Sequence, residues 1–336
     1  MRVGVSHCVM VLLESHPGLS YSCRQSIKQL RMPELPDITI YIESLQSRIV
    51  GNPIEKIRIA SPFLLRSVDP PISEAENKIV LGLRRIGKQI VWELETDLFL
   101  VFHLMVAGRF HWKERGEKVN SKDRLAAVDF SSGTLLMTEA STKKRAALHL
   151  VKGERALVRF NRGGLEVLDA SVGQFRAVLL KENHTLKRIL TDPRLFSGIG
   201  NSYSDEILHH AKLSPLRQSQ KLSSEEISRL YASTKLVLKE WIGRLRADAG
   251  RSFPEKVTAF RPDMAVHGKF GKPCPVCGTA VQRIVYAENE CNYCPRCQTD
   301  GRILADRSLS RLLKDDWPRT IEELEANVGL NKYSSG

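Results

Sequence analysis

The chain has 336 residues, and its 51 lysine and arginine residues outnumber its 38 aspartate and glutamate residues, giving a formal net charge of +13 at pH 7. Residues 1–31 hold a net three of these positive charges, which leaves +10 on residues 32–336. This excess favours a polyanionic partner, most commonly nucleic acid, over an unspecific basic protein. Hydrophobic residues make up 42% of the chain, enough for the cores of two domains. No apolar run approaches the length of about 18 residues that a membrane span needs, so the sequence excludes a membrane protein.

Residues 1–31 differ in character from the rest of the chain. The apolar run 9–13 is too short for the hydrophobic region of a secretory signal, and no small-residue cleavage site follows it cleanly. We expect a mis-called start codon, with the protein beginning at Met32; a disordered extension is the alternative. Because nothing marks the chain for export, the sequence predicts a cytoplasmic protein of bacterial type.

The run Met32-Pro33-Glu34 carries the first chemical hypothesis. If Met32 starts the chain and is removed, Pro33 becomes an N-terminal secondary amine, and a free α-amino group has a pKa of roughly 8. Its neutral fraction can attack a sugar aldehyde carbon, and the resulting iminium acidifies the neighbouring C–H bonds, so that strand scission by elimination can follow. Glu34 could transfer the protons. The run also suits a simple helix start, and that alternative stays open.

Helical and strand-like patterns then follow along the chain. Apolar residues recur at helical spacing over 38–49, with Asp37 as the expected N-cap and Gly51 as the stop. Short runs typical of strands follow at 54–59, 89–94, 98–104, 126–130 and 135–138, and predict an antiparallel β-sandwich. After residues 162–164, helical periodicity returns at 173–182, 186–190, 201–211 and 223–245. The sequence therefore predicts an α+β protein with a helical second domain that starts near residue 170.

The run Gly198-Ile199-Gly200-Asn201 stands immediately before one of these helices. Glycines there would let backbone amides approach a phosphate, and the Asn201 side chain could add a donor. The run equally fits an ordinary turn and helix cap, so the phosphate site is one of two interpretations.

Four cysteines near the C-terminus have the spacing of a zinc ribbon. Cys274 and Cys277 form one Cys-x-x-Cys pair, and sixteen residues separate it from the pair Cys294 and Cys297. Four thiolates suit a closed tetrahedral site, so the sequence predicts one structural Zn²⁺ that holds a β-hairpin. Disulfides are the alternative, disfavoured because nothing marks the chain for export. Cys291 lies close enough for ligand exchange, but the paired motifs make the better quartet.

The order of these parts resembles the formamidopyrimidine-DNA glycosylase / endonuclease VIII family. The shared parts are Pro-Glu, the β-sandwich, the helical domain with Gly-Ile-Gly-Asn, and a zinc hairpin ending in Cys-Gln; they run from Met32 to about Gln298. The resemblance implies a helix-two-turns-helix in the helical domain. It also implies a monomeric base excision repair enzyme, a DNA glycosylase and AP lyase, that flips a damaged base out of double-stranded DNA, releases it and nicks the strand. Such an enzyme would associate with the nucleoid through DNA and need no cofactor beyond zinc.

By position, the resemblance assigns three catalytic residues. Pro33 would be the nucleophile that forms a Schiff base at the sugar C1′, and Glu34 would be the acid/base that helps to open the sugar ring. Lys88, after Gly87 in a predicted hairpin turn, would contact the DNA phosphate near the lesion; a solvent-facing turn lysine is the alternative.

Three further residues would bind DNA by the same resemblance. His103 would contact the DNA backbone, with a core histidine as the alternative, and Lys187 and Asn201 would help to hold the bent duplex.

Three regions depart from the family pattern. Val106 stands where members that excise oxidised purines usually carry a methionine, and Met105 lies one position early. The segment 138–145 lacks the usual Arg-Phe pair, and Asn289 stands where an arginine normally reaches the DNA. Because such side chains fill the void left by a flipped base, these changes concern lesion choice and leave the chemistry at Pro33 untouched.

The predicted organisation has five segments. They are the doubtful extension 1–31, the catalytic β-sandwich domain 32–165, the helix-two-turns-helix DNA-binding domain 170–260, the four-cysteine zinc finger 265–300, and a charged tail 301–336 with an expected helix at 304–324. The expected function is removal of formamidopyrimidine or 8-oxoguanine type lesions. The alternatives are an endonuclease VIII-like enzyme for oxidised pyrimidines, and a non-catalytic DNA-damage-binding protein.

Overall fold

The computed structural model describes residues 32–255, 261–286, 289–305, 318–324 and 326. Within these residues the chain has an α+β fold made of a β-sandwich, a helical domain and a small four-cysteine hairpin, which confirms the predicted fold class. The predicted extension 1–31 lies outside the described residues.

Two four-stranded antiparallel sheets form the sandwich. The first sheet holds, in spatial order, β1 (Lys56–Ile59), β6 (Arg124–Phe130), β7 (Gly133–Glu139) and β5 (Gly108–Lys113). The second holds β2 (Val80–Ile86), β3 (Gln89–Leu94), β4 (Leu98–His103) and β8 (Ala147–Lys152). Because side chains alternate between the two faces of a strand, Trp92 and Phe102 point into the core, where they meet Phe110 and Phe130 of the opposite sheet.

Helix α1 (Leu35–Ile49) packs against both domains. Tyr41 and Leu45 belong to the sandwich core, whereas Leu35 and Ile40 belong to the core of the helical domain. A helix can serve two cores in this way because its period of 3.6 residues presents apolar side chains on separate faces. α1 is therefore the element that fixes one domain relative to the other.

The start of α1 differs from the prediction. Glu34 is the N-cap, and Asp37, expected at that position, is the third helical residue, whose Oδ2 accepts the N–H of Glu34 at 2.9 Å. The N-cap prediction at Asp37 is therefore wrong by three residues. At the other end Val50 is the C-cap, one residue before the predicted stop at Gly51.

Four helices build the second domain. They are α2 (Val172–Leu180), α3 (Leu186–Thr191), α4 (Asn201–His210) and α5 (Ser224–Ala249). Their core includes Phe175, Phe196, Tyr203 and Trp241. None of the helices in the described part of the chain combines the length and the apolar character that a bilayer crossing requires.

The C-terminal part is a hairpin of β9 (Gln282–Tyr286) and β10 (Asn289–Tyr293), followed by α6 (Pro295–Thr299). After it, residue 321 returns to the body: the N–H of Ile321 donates to the carbonyl of Gly301 at 3.0 Å, and the Ile321 side chain is buried. Of the tail helix predicted over 304–324, only 321–324 is helical among the described residues, and 304–305 is not; residues 306–317 lie outside the description.

Polar contacts join the sandwich to the helical domain beside α1. The guanidinium of Arg85 in β2 donates to the Ser197 hydroxyl at 3.2 Å and pairs with the Glu166 carboxylate. The N–H of Leu35 donates to the carbonyl of Gly198 at 2.9 Å. These contacts place the first residues of α1 directly against the segment that leads into α4.

Candidate active site

The carboxylate of Glu34 lies on the first turn of α4. Its Oε2 accepts the N–H of Gly200 at 2.6 Å and of Tyr203 at 3.2 Å, and its Oε1 accepts the N–H of Ser202 at 2.8 Å. A helix N-terminus leaves such N–H groups without intrahelical partners and carries partial positive charge, so it suits a carboxylate. The anion bound at these three amides is therefore Glu34 of the same chain. The interpretation of these amides as a phosphate site is wrong for this structure.

Gly198 and Gly200 make this close approach possible. A Cβ on Gly200 would lie 2.5 Å from both Glu34 Cδ and Lys88 Nζ. A Cβ on Gly198, whose φ is +80°, would lie 2.8 Å from Leu35 Cβ. The two glycines are thus required by the packing of the residues around Glu34 against α4.

Pro33 and Lys88 lie beside Glu34. Pro33 is buried and directly precedes Glu34. Lys88 follows β2 in the turn before β3, and its ammonium group points at Gly200 instead of into solvent. Burial lowers the pKa of Lys88, and the charge of Glu34 opposes that shift. The structure thus brings the three predicted catalytic residues together where the two domains meet.

Asp37 supplies a second carboxylate behind Glu34. Its Oδ2 accepts the N–H of Glu34, and its Oδ1 accepts from the Arg261 guanidinium at 3.2 Å. Burial raises the pKa of Asp37 to about 6, although the positive charge of Arg261 opposes the shift. Sequence reasoning gave Asp37 only a capping role and missed Arg261, because a contact across 224 residues leaves no local signal.

Lys187 and Asn201, both predicted to bind DNA, lie at the start of α4. The Lys187 ammonium donates to the carbonyl of Asn201 at 2.7 Å, the hydroxyl of Ser204 at 2.8 Å and the carboxylate of Asp205 at 2.6 Å. These contacts use all three donors that a lysine has. The Asn201 amide donates to the carbonyl of Glu290 in β10 at 2.8 Å. In this structure both residues brace α4, and their contact with DNA stays a prediction.

His103 ends β4 on the outer face of the second sheet and is half-buried. Burial lowers the pKa of His103 to about 4, and the positive charges of Lys88, His149 and Arg162 act in the same direction. The imidazole is therefore neutral near pH 7. If it contacts a DNA phosphate as predicted, it does so as a neutral hydrogen-bond donor among cationic neighbours.

Two loops near the site carry the departures from the family pattern. The turn 104–108 closes with the N–H of Gly108 donating to the carbonyl of Leu104 at 2.9 Å, which leaves Met105 and Val106 half-exposed at its tip. The loop 139–146 is closed by the buried carboxylate of Glu139, which accepts the N–H of Arg145 at 3.0 Å. The side chain of Asn289 lies outside the described part of the structure.

The four predicted metal ligands come together at the base of the hairpin. The sulfur atoms of Cys274, Cys277, Cys294 and Cys297 all lie within 4.8 Å of one another, with 3.4 Å between Cys277 and Cys294. A tetrahedron of thiolates with Zn–S bonds of about 2.3 Å has edges of about 3.8 Å, so the quartet fits one zinc ion with no open position. Cys291 is buried in β10 outside this quartet. The zinc prediction is confirmed, with a structural role.

Family models match three consecutive parts of the chain. The formamidopyrimidine-DNA glycosylase N-terminal domain matches residues 32–161, and the formamidopyrimidine-DNA glycosylase H2TH domain matches residues 166–249. The zinc finger found in FPG and IleRS matches residues 271–299, which contain the cysteine quartet.

Several curated proteins are similar along most of the chain. A formamidopyrimidine-DNA glycosylase of Heliobacterium modesticaldum is 33% identical over 281 residues, covering 80% of this chain and 100% of that protein. One of Thermus thermophilus is 32% identical over 279 residues, with the same coverage of each chain. A formamidopyrimidine-DNA glycosylase-like protein of Mycobacterium tuberculosis is 39% identical over 151 residues, covering 45% of this chain and 94% of that protein.

Solved structures of similar fold contain DNA. Lactococcus lactis Fpg in complex with DNA containing an abasic site has a TM-score of 0.70 and 27% identity, covering 79% of this chain and 99% of that one. MutM in complex with DNA containing carbocyclic 8-oxo-G has a TM-score of 0.70 and 29% identity, covering 80% of this chain and 100% of that one.

The variant Gly200→Ala tests the packing of Glu34 on α4. We expect its free energy of unfolding to fall by about 1–3 kcal/mol, because the new methyl group must displace Glu34 or Lys88. Urea denaturation followed by circular dichroism measures the change. The matched control is Gly243→Ala in α5, where the added methyl meets no described atom within 4 Å. That control should be neutral or stabilising by up to about 1 kcal/mol, and equal losses in both variants would contradict the packing argument.

The raised pKa of Asp37 predicts a pH dependence of stability. Since the pKa of Asp37 is about 6 in the folded protein and 3.8 for an ordinary aspartate in water, the proton on Asp37 favours the folded state at low pH. That contribution is lost as the pH rises from about 4 to about 6, and its full size is about 3 kcal/mol. The variant Asp37→Asn cannot titrate, so its free energy of unfolding should lack this fall. Parallel pH profiles for the two proteins, measured by urea denaturation, would refute the assignment.

Proposed function

The chain belongs to the formamidopyrimidine-DNA glycosylase family, and from that premise we propose that it excises oxidised bases of the formamidopyrimidine and 8-oxoguanine type through a Schiff base on Pro33. It is a DNA glycosylase of base excision repair with AP lyase activity, and its C-terminal hairpin carries one structural zinc. Family membership sets aside the alternative of a non-catalytic damage-binding protein.

The observation that carries the proposal is that Glu34 and Lys88 meet at Gly200, with the buried Pro33 directly before Glu34. A nucleophilic amine, a carboxylate and an ammonium group are the three kinds of group that the proposed reaction uses. All three are held by elements that the two domain cores fix, α1, α4 and the turn between β2 and β3. Because folding already holds the groups in place, the reaction avoids the entropy loss of bringing them together from solution.

In the proposed reaction the neutral nitrogen of Pro33 attacks the sugar C1′, and the bond from C1′ to the damaged base breaks. Glu34 assists by transferring a proton as the sugar ring opens. The nitrogen and C1′ then form an iminium ion, which draws electrons from the neighbouring C–H bond. Loss of that proton expels the phosphate on the 3′ side and cuts the strand, and water then releases the free amine. This chemistry requires a mature chain that begins at Pro33.

The proposed substrate is damaged double-stranded DNA, bound by a monomer in the cytoplasm. The net charge of +10 on residues 32–336 supports attraction to a polyanion. His103 lies in an electropositive region, because the positive charges of Lys88 and Arg162 are close enough to lower the pKa of its imidazole. We propose that this region meets the phosphates beside the lesion.

A second candidate substrate class is oxidised pyrimidines. Val106 and the loop 139–146 differ from the side chains that members acting on oxidised purines use to fill the space left by the flipped base. A smaller or differently placed side chain in that space changes which base pair is easiest to open. Excision assays on duplexes that carry one 8-oxoguanine or one oxidised thymine distinguish the two classes.

Borohydride trapping tests the assignment of Pro33. Protein that begins at Pro33 is mixed with a duplex containing an abasic site, and borohydride reduces any iminium to a stable amine. We expect a covalent protein–DNA adduct whose peptide maps to residue 33. The control is the same protein with one extra residue before Pro33, which turns the amine into an amide and should abolish the adduct. No adduct from zinc-loaded protein, or one that persists in the control and maps to Lys88, would overturn the assignment.

The variant Glu34→Gln tests the proton transfer. We expect release of an oxidised base to slow by about 10²–10⁴-fold, because the amide cannot give or take the proton. Single-turnover excision measures the rate, and thermal unfolding reports any loosening of the bonds to α4. The matched control is Glu43→Gln in α1, because among the described residues Glu43 pairs with Arg246 at the surface, and this variant should keep the parent rate. An unchanged rate in Glu34→Gln would show that Glu34 serves only as a structural cap.

A further inference from the structure

The last turn of α4 touches the cysteine quartet. His209 is buried, and its Nε2 lies 3.3 Å from the sulfur of Cys274. The backbone N–H of Val276 approaches the same sulfur at 3.4 Å. A thiolate bound to zinc has no proton to donate, so His209 must be the donor in this contact and Nε2 must carry the hydrogen. One sulfur of the quartet therefore accepts two hydrogen bonds.

The two donors differ in origin. The Val276 N–H belongs to the loop that joins Cys274 to Cys277, so an isolated zinc hairpin could make the same bond. His209 reaches Cys274 across 65 residues and from another domain, so its bond exists only when the hairpin is docked on α4. Donors directed at a metal-bound ligand hold it in place and stabilise its charge.

We infer that His209 is a positioning residue for the structural zinc: its Nε2–H donates to the Cys274 thiolate, slows zinc loss and fixes the hairpin on α4. The same helix binds Glu34 at its other end, roughly 12 Å away along the axis. Zinc occupancy and the support of the Glu34 carboxylate thus depend on one rigid element. This inference does not depend on the proposed reaction, because zinc retention can be measured without DNA.

The segment that leads into the hairpin is attached to α4 at a second place, which does not involve His209. The buried carboxylate of Glu206 accepts the N–H groups of Ala265 at 2.8 Å, Val266 at 2.9 Å and His267 at 2.9 Å. A substitution at His209 therefore leaves the segment before Cys274 attached to α4. The zinc-binding effect of the lost hydrogen bond can be separated from loss of the whole hairpin.

The test compares zinc retention in the full chain. His209→Phe fills the space without a donor, and His209→Gln keeps an N–H near the position of Nε2. The neighbouring control is His210→Phe, since His210 bonds Ser233 at 2.9 Å and, within the described part of the chain, makes no hydrogen bond to the quartet. Zinc release to a chromogenic chelator should be about tenfold faster in His209→Phe, close to the parent rate in His209→Gln, and unchanged in His210→Phe.

A spectroscopic signature gives a second readout. With Co²⁺ in place of zinc, loss of the hydrogen bond makes the Cys274 thiolate more electron-rich, so the thiolate-to-cobalt charge-transfer band should move to lower energy in His209→Phe only. If His209→Phe does not fold, His209→Leu takes its place in both measurements. Zinc release and a cobalt spectrum equal to the parent in the donor-free variant, or equal changes in His210→Phe, would overturn the inference.

Discussion

The structure depends on one contact, the binding of the Glu34 carboxylate by the first amides of α4. The carboxylate belongs to the first residues of the sandwich domain, and the amides belong to the helical domain, so neither half of the contact can form without the other domain in place. The Glu34 carboxylate also accepts hydrogen bonds from N–H groups of α4. Without it these groups would be buried without partners, which would lower the free energy of unfolding. The same carboxylate is the proposed acid/base. One contact therefore fixes both the position of the proposed acid/base and the orientation of the two domains.

Helix α4 extends that constraint to the C-terminal hairpin. Its N-terminus holds Glu34, and its buried Asp205 binds Lys187 and, at 2.7 Å, the imidazole of His267. The carboxylate of the next residue, Glu206, accepts backbone N–H groups of the segment before Cys274. His209 contacts the sulfur of Cys274 directly. Buried charges are tolerated when they are paired and hydrogen-bonded, and each carboxylate here meets that condition. One helix of ten residues thus connects the reaction centre to the metal unit.

The sequence predicted features that local spacing encodes and missed those that depend on distant contacts. Helical and strand periodicity located most elements within a few residues, and two Cys-x-x-Cys pairs at ribbon spacing were sufficient for the zinc quartet, because ligand spacing is itself local. The partners of Asp37 and Cys274 were not predictable, since Arg261 and His209 come from elsewhere in the chain without a motif. The interpretation of Gly200 failed for the same reason. Glycine spacing shows that something approaches the backbone closely, and only the fold shows that it is a carboxylate of the same chain.

The arrangement also explains how lesion choice can vary while the reaction is retained. Glu34 is bound to α4, and the neighbouring α1 residues are packed into both cores, so substitutions around them disturb folding as well as chemistry. Met105 and Val106, in contrast, lie at the tip of a turn that backbone hydrogen bonding closes. A Cβ on Gly108 would lie 2.1 Å from the carbonyl of Leu104, so the glycine and not the tip side chains is what the turn requires. The Val106 side chain can therefore change without moving the turn, whereas the backbone at Met105 is left-handed, with a φ of +49°. At Val106 the departure from the family pattern thus falls on a turn position whose side-chain identity the turn does not require, and Pro33, Glu34 and Lys88 at the reaction centre match that pattern.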